Sequence, residues 1–242
     1  MCGFLNIINF KSNENNYESI FKEFKKINQR GPDNTKKVKI KNYTAMFHRL
    51  SIIDLKMRSN QPMFSSCKRY LLTFNGEIYN FIELRKYLQN KGLKFNTKSD
   101  SEVVLNGFKK EGAKFVKKLR GMYAFTIWDN KEKKLYAFRD RLGEKPLYYH
   151  KSENQIIIAS EIKYIKLVIN KLKINYKTVY DFIVDANLDK NNNTFFKEIF
   201  KVPAANYFVI KNSRISKKKY WFLKLSEKKH FNLDDFKEKF EH

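Results

Sequence analysis

The sequence predicts an α+β fold made mostly of antiparallel sheets, and three observations carry that expectation. Apolar runs of strand type and segments of helical period follow one another in blocks, without strict β-α alternation. Past Gly121 the period shortens, and two apolar runs flank Asp129-Asn130 in the manner of a hairpin. Hydrophobic residues make up 42% of the 242 positions, with 22 Phe and 14 Tyr, which is ample for a buried core.

Residues 4–10 are continuously apolar and read as a strand. Residues 17–28 place Ile20, Phe21, Phe24 and Ile27 at helical spacing, and Arg30-Gly31-Pro32-Asp33 breaks that helix. Strands are expected at 43–50 and 70–74, and a helix at 81–91 that stops at Gly92. Ser99-Asp100-Ser101-Glu102 has capping-box spacing and opens a helix that ends near Gly112. The hairpin spans 122–128 and 135–139, and further strands are expected at 147–150 and 156–159. Short helices fit 161–166 and 176–186, a last strand pair fits 202–210 with 214–222, and residues 232–241 read as the start of another helix.

Composition excludes several classes. Two cysteines, Cys2 and Cys67, are too few for a disulfide framework or a zinc site, and His48, His150, His230 and His242 show no ligand spacing, so no metal is expected. No apolar stretch approaches membrane-spanning length and no signal segment precedes the opening, so a soluble cytoplasmic protein is expected. The net charge of +25 raises nucleic-acid binding, but only nine of the fifty basic residues are Arg. The lysines are spread along the chain, and Lys217-Lys218-Lys219 is not interleaved with stacking aromatics, so that reading ranks low.

Four segments far apart in sequence each bring something that amide hydrolysis needs. Met1-Cys2-Gly3 puts a small residue second, so aminopeptidase removal of Met1 would leave Cys2 with a thiol and a free α-amine, a nucleophile beside its own base. Asn75-Gly76-Glu77, after the strand at 70–74, offers a side-chain amide and a backbone N–H of the kind an oxyanion hole uses. Arg49 at a strand end suits a bidentate contact with a carboxylate, and Asp100 at a helix start suits an ammonium group. Alone, Asn75-Gly76 reads as a tight turn, Arg49 as a surface ion pair and Asp100 as a first-turn acid.

Taken together these segments resemble the class II glutamine amidotransferase domain of asparagine synthetases, in the N-terminal-nucleophile hydrolase group. The resemblance rests on Met1-Cys2-Gly3, Arg30-Gly31-Pro32-Asp33, Arg49-Leu50-Ser51-Ile52-Ile53-Asp54, Gln61-Pro62-Met63 and Phe74-Asn75-Gly76-Glu77-Ile78-Tyr79-Asn80. It continues through Ser99-Asp100-Ser101-Glu102-Val103, Leu119-Arg120-Gly121-Met122-Tyr123-Ala124-Phe125, the run from Arg139 to Tyr149, and Ala159-Ser160-Glu161-Ile162-Lys163. It implies a four-layer αββα sandwich in which the Cys2 thiolate attacks the side-chain amide of L-glutamine. Asn75 and the Gly76 N–H would hold the oxyanion, and the Cys2 α-amine would move protons. Arg49 would bind the substrate carboxylate, the backbone of Leu50, Ser51, Ile52 and Ile53 would line the pocket, and Asp100 with the Glu77 segment would bind the ammonium. No cofactor is expected for this half. ATP and Mg2+ belong to a second, synthetase domain that amidates aspartate, and a homodimer is a further expectation.

Residues 1–210 are expected to form the glutaminase domain, and 211–242 a connecting strand and the start of the synthetase domain, whose pyrophosphate loop the sequence lacks. Two positions depart from the family pattern. Asn6 stands where Gly is usual, close to the backbone near Cys2, and Gln29 replaces a common His; neither removes a catalytic group, so both are expected to be tolerated. Glucosamine-6-phosphate synthase and phosphoribosylpyrophosphate amidotransferases share Cys2 and Asn75-Gly76 but not the runs at 49–54 and 139–149. Relatives that amidate sugars or peptides share nearly everything. A basic nucleic-acid-binding module and a degenerate scaffold are the non-enzymatic alternatives. Cys67 reads as a loop residue, and His48 as a packing residue on the strand face opposite Arg49.

Overall fold

In the computed structural model, which describes residues 1–10, 16–169, 171–186 and 191–223, two six-stranded antiparallel sheets lie face to face. The first has the order β10 (Phe200–Lys201), β8 (Tyr148–Lys151), β9 (Gln155–Ala159), β1 (Gly3–Asn9), β3 (Tyr43–Arg49) and β2 (Asn34–Ile40). The second runs β12 (Arg214–Lys219), β11 (Asn206–Lys211), β7 (Lys134–Arg139), β6 (Gly121–Asp129), β5 (Tyr70–Ile78) and β4 (Met63–Phe64). Their inner faces enclose a core that includes Phe4, Tyr43, Phe47, Leu71, Trp128 and Phe208. Helices α1 (Tyr17–Lys26) and α4 (Ile162–Lys166) cover the outer face of the first sheet through Phe24, Tyr164 and Ile165. On the outer face of the second sheet, α2 (Phe81–Asn90) and α3 (Asp100–Glu111) bury Leu84, Leu88, Val104 and Phe108. Three apolar interiors between four layers make this the expected αββα sandwich. A further helix, α5 (Tyr176–Asp185), sets Phe182 against Phe195.

The helices form where periodicity and caps coincide. Asn16 caps α1 by accepting from the Ser19 N–H, and Ser99 caps α3 by accepting from the Glu102 N–H. Only that half of the capping box forms, because the Glu102 carboxylate turns instead to the N–H groups of Asn96 and Thr97. Strand β2 was absent from the sequence expectation. Its alternating lysines, Lys37 and Lys39 among them, look like a solvated loop, yet they mark a sheet edge that charge protects from further pairing. The strand expected at 70–74 continues to Ile78, so Asn75-Gly76 lies inside a ladder opposite Ala124 and Tyr123 and is no turn. The β6–β7 connection takes four residues, 130–133, and closes with Lys133 at φ 52°.

The last strand pair is shorter than expected. Residues 202–205 form a loop, and past β12 Tyr220 leaves the ladder to reach the buried Tyr123 hydroxyl at 2.9 Å. The boundary expected at residue 210 falls within the β11–β12 hairpin, whose second strand continues the sheet. The helix expected at 232–241 lies outside the described residues. Asn6 does not crowd the backbone: its side chain points into the inter-sheet layer, donating to Thr73 Oγ1 at 3.0 Å and accepting from the Tyr43 hydroxyl at 2.7 Å. A fully buried amide is thus satisfied by both sheets.

Candidate active site

Cys2 leads directly into β1, which β3 and β9 flank, so the start of the chain is held in the middle of a sheet. Two further contacts fix it. The Cys2 carbonyl accepts from Arg30 Nε at 2.9 Å, and Arg30 is itself paired with Glu161 at 3.0 Å. The Cys2 Sγ lies 3.4 Å from the Leu50 N–H and 3.5 Å from the Leu50 carbonyl. Burial pushes the Cys2 thiol above its ordinary value, while the Leu50 N–H, the chain's α-amine and Arg49 act the other way. Gly31 lets the 30–33 turn lie against β3, since a Cβ there would sit 2.5 to 2.6 Å from backbone atoms of His48 and Arg49.

An open cleft lies at Cys2. It gathers Cys2, Arg49, Leu50, Ile52, Ile53, Asn75, Gly76, Glu77 and Asp100, nine of the ten residues singled out from sequence. Ser51 is the exception: it does not line the cleft, and its N–H turns to Asp33 Oδ2 at 2.7 Å. Met1 sits at the rim with Sδ 3.0 Å from the ammonium of the buried Lys145.

Arg49 is 6% exposed, which replaces the surface ion pair its sequence context allowed. Its guanidinium donates to the Lys56 carbonyl at 3.1 Å, to Asn60 Oδ1 at 2.6 Å and to the Asp54 carbonyl. These neutral oxygens orient the group and leave its charge uncompensated by any of them. Asp100, the first residue of α3, accepts from the Ile78 N–H at 3.1 Å and the Ser101 N–H at 2.8 Å. Burial nevertheless raises its carboxyl to about 6, against which those two N–H groups act. The cleft therefore carries a cation and an acid on different elements.

Asn75 supplies the most informative atom. The side chain is 1% exposed, and among the described residues its buried Nδ2 has no hydrogen-bond partner. An orphaned buried donor costs about 1–3 kcal/mol, so folding keeps it at a loss unless something else uses it. Gly76 follows, where a Cβ would come 2.2 Å from the Met122 carbonyl oxygen and 2.6 Å from the Tyr123 Cα. Both clashes are with backbone of the paired strand, so only glycine lets β5 pass β6 there.

Sequence reasoning missed several residues around the cleft. Asp54 and Gln61 both line it, and Gln61 brackets Phe74 by accepting its N–H at 2.7 Å and donating to its carbonyl at 3.3 Å. The Gln61-Pro62 dipeptide was the available signal, and its peptide bond is cis. Lys145 also lines the cleft and was quoted only as part of a motif. His48 behaves as expected. It is fully buried, stacked on Phe24 at 3.9 Å and bonded to the Phe24 carbonyl, and burial lowers it to about 4. Cys67 is exposed beside Ser65. Among the described residues no His, Cys, Asp and Glu group is arranged to hold a metal ion, and no helix is long and apolar enough to cross a membrane.

Comparison with known proteins gives a consistent result. The profile of the glutamine amidotransferase domain family matches residues 1–221. The chain is similar to the glutamine-hydrolysing asparagine synthetase 1 of Bacillus subtilis, 38% identical over 186 residues that make up 76% of this chain and 29% of the relative. It is also similar to a putative glutamine-hydrolysing asparagine synthetase 2 of Methanocaldococcus jannaschii, 32% identical over 249 residues, covering 95% of this chain and 48% of the relative. The chain thus spans less than half the length of these curated relatives. Among solved structures, the glutamine phosphoribosylpyrophosphate amidotransferase from B. subtilis superposes with a TM-score of 0.67 at 18% identity, over 92% of this chain and 50% of that one. That likeness speaks to the fold.

Proposed function

The chain belongs to the glutamine amidotransferase domain family, and from that premise we propose that it hydrolyses L-glutamine to glutamate and ammonia with Cys2 as the nucleophile. The observation that carries this reading is the orphaned Asn75 Nδ2 in the cleft that also holds the Cys2 thiol. On this reading Met1 is removed, and the freed α-amine takes the thiol proton as Sγ attacks the side-chain carbonyl of glutamine. The oxyanion of the tetrahedral intermediate accepts from Asn75 Nδ2 and the Gly76 N–H, each worth about 2.7–4 kcal/mol in the transition state. The amine returns its proton to the leaving nitrogen, and ammonia departs. Water then cleaves the γ-glutamyl thioester and restores the thiol. Arg49 receives the substrate carboxylate, and Asp100 with the Glu77 segment receives the ammonium.

The reading extends to the longer relatives. Their names and length support a role in which the ammonia passes to an ATP-dependent synthetase domain, in cis or in trans, that amidates aspartate. ATP and Mg2+ belong to that domain, and the 211–242 segment leads toward it. A homodimer remains part of the proposal, to be tested by light scattering. The decisive experiment is glutamate release from L-glutamine by the purified chain beside Cys2→Ala, with intact mass reporting Met1. Activity lost in the variant supports the assignment. Equal rates in the two proteins, with Met1 removed, would reject Cys2 as nucleophile.

A further inference from the structure

We propose that Asp54 is a positioning residue for glutamine, fixing the separation between the carboxylate-binding and ammonium-binding ends of the cleft. The inference rests on the glutaminase reading above and assigns a residue that reading does not use. Asp54 follows Arg49 by five positions, is 7% exposed and lines the cleft. Its backbone carbonyl accepts from the Arg49 guanidinium. Its carboxylate faces the other way: Oδ2 accepts from the Lys98 N–H at 2.7 Å, and Oδ1 from the Lys56 N–H at 3.1 Å. The Lys56 carbonyl in turn accepts from Arg49 at 3.1 Å.

Lys98 lies two residues before Asp100 and next to Ser99, the cap of α3. One residue therefore ties the arginine at the end of β3 to the segment that delivers Asp100 at the start of α3. An α-amino acid carries its carboxylate and ammonium on a single carbon, so the two protein groups that meet them need a fixed spacing. Charge-assisted bonds from a carboxylate to backbone N–H groups are short and directional enough to set it. The charge of Asp54 is firmly held: burial acts to raise its carboxyl, but the Lys98 and Lys56 N–H groups, with the Ser59 hydroxyl, outweigh it and bring it to about 2. The Arg58 Nε, 4.0 Å away on a half-exposed side chain, adds little.

The test is Asp54→Asn in the full chain, which keeps the shape and the backbone carbonyl but removes the charge and one acceptor. KM for glutamine should rise about tenfold, the cost of losing a charge-assisted bond, with kcat within about twofold of the parent. Iodoacetamide has neither a carboxylate nor an ammonium group, so it should alkylate Cys2 at the parent rate. Protection of Cys2 by glutamine should require about tenfold more of it. An unchanged KM, or kcat and the alkylation rate falling together with binding, would overturn the proposal. Should the variant not fold, hydrogen exchange in the parent protein decides. The Lys98 amide should exchange more slowly with saturating glutamine, and an unaltered rate would refute the coupling. If the parent itself releases no glutamate, the functional reading fails, a result distinct from either.

Discussion

Replacing Asn75 by Ala separates activity from stability in a way that few active-site substitutions do. In the transition state the Nδ2 donor would contribute about 2.7–4 kcal/mol, so its loss should lower kcat about 100- to 1000-fold. The folded state should hardly notice. Nδ2 is buried without a partner among the described residues, and relieving such a donor returns about 1–3 kcal/mol. Against this stands a small cavity, since the truncated side chain is 1% exposed, at a cost of similar size. The two nearly cancel, and Tm should stay within about 4 °C of the parent, the shift that roughly 1 kcal/mol produces in a domain of this size. The assay is initial-rate glutamate release across glutamine concentrations, beside a calorimetric Tm and the rate of Cys2 alkylation. A kcat loss below tenfold would refute the oxyanion role. A fall in Tm beyond about 8 °C would show instead that the side chain is structural.

Three further predictions follow from the same geometry. Gly76→Ala should be destabilised by more than about 4 kcal/mol, because its Cβ would lie 2.2 Å from the Met122 carbonyl oxygen, and urea titration or soluble yield would report it. Asp100 must be ionised to hold an ammonium, and burial raises its carboxyl to about 6, so kcat/KM should decline as pH falls through that value while Asp100→Asn gives a low, flat profile. His48 takes a proton at 6.5 when unfolded but only near 4 when folded, owing first to burial. Stability should therefore drop by roughly 3 kcal/mol as pH falls from 6.5 to 4, and His48→Gln should remove that slope in chemical denaturation.

How much of this was legible in the sequence depended on where each residue's information lies. Apolar period and capping residues located β1, α1 and α3 within a few positions, because burial and hydrogen bonding of the local backbone impose those patterns directly. The same logic hid β2, whose lysines serve the edge of a sheet that only the folded chain defines. Cys2, Arg49, Asn75 and Asp100 could be named because each side chain carries a chemical role that its type announces. Ser51 entered only through the resemblance, as part of the 50–53 backbone, and its N–H turns to Asp33. Asp54 escaped because its partners are the backbone N–H groups of Lys56 and Lys98, and a backbone donor leaves no mark in sequence. What makes Asn6 tolerable is hidden for a related reason. Its acceptable burial depends on Thr73 and Tyr43, from different sheets, arriving at one point.

The placement of Cys2 ties the fold to the proposed chemistry. Chain termini usually fray, and a nucleophile on a fraying end could not be aimed within the few tenths of an ångström that attack requires. Here Gly3 pairs with His48, the Cys2 carbonyl is held by Arg30, and the thiol meets the Leu50 backbone, so the end of the chain is anchored from three directions. That anchoring has an electrostatic consequence. Burial opposes formation of the thiolate, and the nearby charges of Arg49 and the chain's α-amine partly offset it. A thiol so balanced needs a base next to it. An α-amine on the same residue meets that need with no further element. The sheet that immobilises the N-terminus thereby also accounts for why, on the proposed reading, the first residue of the mature chain is the one that reacts.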